Sequence, residues 1–208
     1  MQFAIIGAPR GHAGALRAAL DAIDERGILT IFHTGDAAVG GEGPNEAIAL
    51  LEERGVQGVQ GELDRLAVLF TRKGESLKKR LDPAVYEQIA DTRRRIGASR
   101  LEVLRGLPRS RRAAIDEVTI VLCHGTVTNQ AARIDPDEPL DRLRRQREEA
   151  NADCVACGKH DTPWDTVVDT TVFVCPGAMT AEQGRYTIID TDARPWRVEH
   201  VVVEGVGG

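Results

Sequence analysis

No stretch of this 208-residue chain stays apolar for the roughly 18 residues a membrane-spanning helix needs, so no membrane partner is expected. A basic excess is also missing. The formal net charge is -5, whereas nucleic-acid binders carry a basic stripe, so no nucleic-acid partner is expected either. The arginine runs Arg93–Arg95, Arg109–Arg112 and Arg142–Arg147 are interleaved with or followed by acidic residues and read as solvated helix faces. No basic leader or cleavage site precedes Phe3-Ala4-Ile5-Ile6, so no signal peptide is read and a cytoplasmic location is expected. Cysteine is scarce. Cys154 and Cys157 have zinc-ligand spacing but no second pair of ligands at similar spacing, and with Cys123 and Cys175 they read as buried core thiols. Repeats, low-complexity tracts and linkers are absent as well, which makes residues 1–208 one domain, large enough to bury a sizeable core.

What is present is an alternation of strand-like and helical patterns. Gln2–Ile6, Ile28–His33 and Val56–Gln60 read as strands, with helices over Ala13–Arg26 and Pro44–Arg54 between them. That rhythm implies a parallel sheet flanked by helices. A largely helical stretch follows from Asp64 to about Leu107, and residues 65–116 read as a helical insertion. Beyond it lie the strand-like runs Val118–Cys123, Cys154–Cys157, Thr166–Val168, Thr170–Cys175, Tyr186–Asp190 and Arg197–Val203, interrupted by one clear helix, Leu140–Ala150. A parallel first half and a mainly antiparallel second half suggest two packed sheets with helices outside. The tail Glu204–Gly208 reads as loose.

In α/β sheets ligands bind outside the carboxyl ends of the strands. The segments found there are Gly7-Ala8-Pro9-Arg10-Gly11-His12, Thr34-Gly35-Asp36, Gly61-Glu62-Leu63-Asp64, His124-Gly125-Thr126, Gly158-Lys159-His160-Asp161 and Pro176-Gly177-Ala178. Glycines permit tight turns and close backbone approach there, and titratable side chains concentrate in the same places.

In this order and at these spacings the motifs resemble those of the bacterial calcineurin-like metallophosphoesterases of the small phosphodiesterase type. The resemblance covers nearly the whole chain. It implies an α/β (α+β) four-layer αββα sandwich of two packed mixed sheets flanked by helices. It also implies a dinuclear site in which two divalent cations clamp a phosphate and activate a hydroxide. The family's motifs are Asp-x-His-Gly, Gly-Asp, Gly-Asn-His-Asp, His-Gly and Gly-His-x-His. Carried over position by position, Asp36 matches the bridging aspartate and His124 a histidine ligand. Ala8 and Arg10 stand where the Asp-x-His pair would be, and Glu62 where the asparagine would be. Leu63 replaces the histidine that acts as acid, its supporting aspartate remains as Asp64, and Lys159 and Asp161 replace the last two histidines.

The resemblance therefore leaves Asp36, His124, Glu62 and Asp161 as vestigial metal positions and no catalytic acid. Asp36, Glu62, Asp64 and Asp161 cannot all stay ionised and unpaired in one place. Arg10 and Lys159 are accordingly expected to pair with carboxylates where the metals would sit. His160 has two readings, a replacement ligand or an exposed side chain, and alternation along an extended segment favours the second. His12 and His33 receive no role, and His200 reads as an edge-strand surface residue. The leading functional expectation is a pseudoenzyme that binds a phosphate-containing small molecule or a partner, without a resident cofactor. The enzyme alternative is a phosphodiesterase using a single Mn, Zn, Fe or Mg ion at Asp36, Glu62 and His124. A third possibility is a structural subunit whose pocket is closed by salt bridges. The resemblance also implies homo-oligomers.

Overall fold

Alternation along the first strand sets the layering. In β1, Gln2–Ile6, the side chains of Ala4 and Ile6 enter one apolar cluster and those of Phe3 and Ile5 another, as the two-residue period of a strand dictates. A strand buried on both faces needs a helical layer on one side and a second sheet on the other, and both are found. The structure is a computed structural model and describes residues 1–204.

The chain runs β1, α1 (Ala13–Glu25), β2 (Ile31–His33), α2 (Pro44–Glu53), β3 (Gln57–Gly58), α3 (Glu62–Lys78), α4 (Pro83–Arg95), α5 (Ala98–Gly106) and β4 (Ser110–Ile115). It continues with β5 (Val118–Cys123), α6 (Leu140–Ala150), β6 (Cys154–Ala156), β7 (Trp164–Val168), β8 (Thr171–Cys175), β9 (Gln183–Asp190) and β10 (Arg197–Glu204). One sheet has the order β10-β9-β1-β2-β3 and the other β4-β5-β6-β8-β7. In the first, β1, β2 and β3 are parallel, while β9 and β10 add antiparallel strands beside β1. In the second, β5, β6 and β8 are parallel, with antiparallel β4 and β7 on the edges.

Both sheets are therefore mixed, and with helices on both outer faces the result is the four-layer α/β sandwich that the resemblance implies. Apolar side chains of α1 and α2 cover the outer face of the first sheet. Phe3, Ile5, Phe32, Ile120, Leu122, Val174 and Ile189 fill the space between the sheets. Leu143 and Ala150 of α6 close the second sheet from outside against Val121, Val155 and Phe173. Each fully buried Ile, Leu or Phe of these layers stabilises the fold by about 1.5–3 kcal/mol.

The second half is mainly antiparallel, as expected, through β4/β5, β7/β8, β1/β9 and β9/β10, with β5, β6 and β8 forming a parallel centre. Two sequence expectations need correction. Residues 65–116 are not helical throughout, since Ser110–Ile115 forms β4 and pairs with β5 across a tight turn in which Asp116 has a φ of 51°. Val56–Gln60 shrinks to the two-residue β3. Glu204 closes β10, and the rest of the tail expected to be loose lies outside the described residues.

The four cysteines are free and buried. Leu122, Ala156 and Val174 are in register across β5, β6 and β8, so Cys123, Cys157 and Cys175 follow as a row on neighbouring strands beneath α6. Cys154 faces the space between the sheets.

Candidate functional site

The loops after β1, β2, β3, β5 and β6 meet at the carboxyl ends of the strands, where parallel order concentrates them. Close backbone packing holds them there. A side chain at Gly7 would place its Cβ 1.6 Å from the Gly177 oxygen, and one at Gly61 would lie 2.1 Å from the Asp36 nitrogen. Both positions must be glycine for the loops to touch. Arg10, Asp36 and Lys159 all have positive φ, at 50°, 51° and 68°. A left-handed non-glycine residue costs on the order of 1–3 kcal/mol, and such residues cluster at functional sites.

The inner part of the site is a buried group of three. Asp36 and His124 face each other with Oδ2 and Nε2 3.2 Å apart, at 7% and 1% side-chain exposure. Asp36 Oδ1 accepts the Leu63 N–H at 2.9 Å. The His124 Nδ1 lies 2.8 Å from the Thr34 carbonyl oxygen, which directs Nε2 into the site. The contact with Asp36 falls outside hydrogen-bond geometry and leaves Nε2 without a hydrogen-bond partner. Burial alone would raise Asp36, but the His124 charge and the Leu63 N–H outweigh it and hold the carboxyl below its ordinary value. Burial would lower His124, but the facing Asp36 carboxylate and the Thr34 carbonyl raise it to about 9.

Asp64 lies behind this pair at the start of α3. Its carboxylate accepts the N–H groups of Ala37 and Gly61 at 3.1 Å and of Ala38 at 3.2 Å, tying the loop after β2 to the N-terminus of α3. Burial and the Asp36 charge push Asp64 up to about 6 against the pull of these donors.

The outer part consists of two ion pairs nearer to solvent. The Lys159 ammonium lies 2.5 Å from Glu62 Oε2 and donates to the Ala131 oxygen at 2.5 Å. Arg10 meets Asp161 at 2.9 Å, with side-chain exposures of 34% and 79%, and its Nε has no partner. Ala8 is buried in the same loop and supplies no donor atom. Leu63, at the acid position, packs against the apolar cluster of α3 and α4.

The remaining histidines do not join this group. His160 is not exposed as expected. Its side chain is 11% exposed, with Nε2 2.7 Å from the Ile134 oxygen and its ring edge-on to Trp164. His33 is buried, accepts the Gly35 N–H at 3.2 Å, and is lowered by burial to about 4. Burial and Arg10 also lower His12. His200 sits on the edge strand β10, linking Thr187 of its own sheet to Asp165 of the other. The backbone oxygens of Thr34 and Ala131, which orient His124 and Lys159, had no sequence signal because every residue has a carbonyl.

As metal donors, Asp36 and His124 suit a divalent cation. A histidine with one ring nitrogen on a backbone carbonyl and the other free is the usual arrangement of a ligating imidazole. The neighbouring positions fit less well, since an ammonium cannot ligate and Glu62 is engaged by one. Among the described residues no three His, Cys, Asp or Glu side chains converge as a metal-binding group. No helix among them is long and apolar enough to cross a membrane.

The fold recurs in solved structures. A hypothetical protein of Pyrococcus horikoshii superposes with a TM-score of 0.87 at 20% identity, over 98% of this chain and 88% of that one. A metallophosphoesterase of Sphaerobacter thermophilus gives 0.73 at 20% identity, over 99% and 89%. Vps29 of Entamoeba histolytica, solved as a zinc complex, gives 0.55 at 16% identity, over 98% and 99%. No curated protein matches the sequence. The sequence pattern of the calcineurin-like phosphoesterase superfamily domain extends over residues 1–194, through every strand-end loop described above. With that span and this sandwich, the chain belongs to the calcineurin-like phosphoesterase superfamily.

Proposed function

We propose that this chain is a pseudoenzyme of its superfamily, which binds a phosphate-bearing ligand at the strand ends without hydrolysing it by the two-metal route. The observation that carries this reading is the Lys159 ammonium, 2.5 Å from Glu62 Oε2 on the rim of the Asp36–His124 pair. A fixed cation there neutralises a carboxylate that a metal would otherwise use, and it repels an incoming ion. Leu63 offers no proton to a leaving group. Arg10 supplies the anion site: its guanidinium is one-third exposed, and Asp161 is solvated enough to be displaced by phosphate.

The test is hydrolysis of bis-p-nitrophenyl phosphate with and without manganese, and the expected rate is background. Metal-dependent turnover that disappears in Asp36→Ala and His124→Ala sinks the reading. Combined reversion (Ala8→Asp, Arg10→His, Glu62→Asn, Leu63→His, Lys159→His, Asp161→His) is expected to bring manganese uptake. A folded variant that takes up none shows that these positions do not correspond to the family's ligands.

A second reading rests on His124 Nε2, which is free of hydrogen bonds and faces Asp36. Under it the chain is a phosphodiesterase with one divalent ion held by Asp36, His124 and a Glu62 released from Lys159. Metal analysis of protein purified without chelator decides between the two. A stoichiometric ion that survives dialysis and is lost in His124→Ala favours the enzyme.

A further inference from the structure

Away from the strand ends, α3 and α4 pack as an antiparallel hairpin and leave a groove of about 520 Å³ between them. The groove is shallow and open to solvent. The floor is aromatic: Phe70 of α3 and Tyr86 of α4 lie with ring centroids 5.5 Å apart, tilted by 39°. Of the six Phe and Tyr residues, Phe3, Phe32, Phe173 and Tyr186 are fully buried in the sheet cores, so this pair is the partly open one. Ala90 beside it adds no bulk to cover the rings.

Above the floor stand Arg93 and Lys78, neither with a carboxylate partner among the described residues, although the adjacent Arg94 and Arg95 share Asp91. Thr71 Oγ1 accepts one Arg93 amino group at 3.2 Å and so orients the guanidinium, whose Nε is buried and has no partner. Glu87 is the carboxylate on the rim. The groove belongs to a basic part of an acidic molecule: residues 62–106 hold 11 Lys and Arg against 7 Asp and Glu, and the remainder 16 against 25. A guanidinium oriented by Thr71 and without a carboxylate partner among the described residues, beside two partly exposed aromatic rings and the Glu87 carboxylate, matches a ligand made of a flat ring, hydroxyls and a phosphate.

We propose that the α3–α4 groove binds a mononucleotide, with its base on Phe70 and Tyr86, its phosphate on Arg93 and its sugar hydroxyls toward Glu87. This site is separate from the strand-end pocket and does not depend on how that pocket functions.

The test is calorimetric titration of the full chain with AMP, ribose 5-phosphate and inorganic phosphate, together with amide NMR of the AMP complex. AMP is expected to bind more tightly than ribose 5-phosphate, by about fivefold or more if the base stacks. Arg93→Ala is expected to weaken AMP by about tenfold or more, and Arg93→Lys to restore only part of this because an ammonium lacks the fork. Phe70→Leu and Tyr86→Leu, checked for folding by circular dichroism, should each reduce the preference for AMP over ribose 5-phosphate. Amide shifts should cluster between residues 66 and 94. Absence of AMP binding, an affinity indifferent to Arg93→Ala, equal affinity for AMP and ribose 5-phosphate, or shifts confined to the loops at residues 7–12 and 124–131 would each overturn the proposal.

Discussion

The inner and outer parts of the strand-end site use the same chemistry under different solvation. Asp36, Asp64 and His124 are buried, and each carboxylate accepts backbone N–H groups that hold loops in place. The pairs Lys159–Glu62 and Arg10–Asp161 lie where water screens them. A buried charge that loses its partner costs several kcal/mol, whereas an exposed ion pair contributes about 0–1 kcal/mol. The inner group should therefore govern folding, while the outer pairs govern what enters.

The largest effect expected from this contrast is at Asp64. Asp64→Ala leaves the N–H groups of Ala37, Ala38 and Gly61 without their acceptor and should cost about 3–4 kcal/mol in urea unfolding. A loss below about 1 kcal/mol, the range of an exposed pair, would erase the distinction between inner and outer parts.

Next comes the pH dependence of the inner pair. His124 is raised from 6.5 to about 9 in the fold, so its contribution is complete below pH 6.5 and is lost as pH rises through about 9. Asp36 is held below 3.8, so its contribution is present above that pH and is lost as pH falls through the lower folded value. In metal-free protein, above the range in which Asp64 and His33 titrate, stability should fall between pH 6.5 and about 9 by on the order of 2–3 kcal/mol. His124→Asn should flatten that alkaline fall in urea titrations at successive pH values. An unchanged fall would place its origin elsewhere.

The outer pairs should give smaller effects. Lys159→Met should cost about 1 kcal/mol in the same unfolding assay, because Glu62 is one-third exposed and can regain water. Arg10→Ala should be smallest, at about 0.5 kcal/mol or less and weaker still in salt, since Asp161 is already solvated. A salt-insensitive loss as large as that for Asp64→Ala would mean that Arg10 belongs with the inner group.

The sequence was most legible where burial decides the pattern. The period-two side chains of Gln2–Ile6 and the helix Leu140–Ala150 follow from apolar spacing, and both are found with those limits. The edge strand Ser110-Arg111-Arg112-Ala113-Ala114-Ile115 was hidden, because edge strands tolerate charges that resemble a solvated helix. Glycines after strands pointed to the strand ends, but not to which side chains meet there. Lys159 reaches Glu62 because a left-handed backbone at Lys159 turns it inward, and His160 is held by the nearby Trp164 ring and by the Ile134 carbonyl oxygen of a separate loop. Both depend on loop geometry, which residue order alone does not determine.

The cysteine row across β5, β6 and β8 makes the second sheet its own reporter. Burial pushes Cys123 up to about 12 and raises Cys154, which lies between the sheets. The contact with Cys175 and then burial raise Cys157, while Cys175, held lower by the Cys157 thiol, is enclosed with Cys123 and Cys157 under α6. Only a thiolate in contact with solvent reacts with an alkylating reagent. Labelling of this chain is consequently gated by separation of α6 from the sheet or by parting of the strands. The rate of mass gain under native conditions thus measures how often the second sheet opens, without any engineered probe.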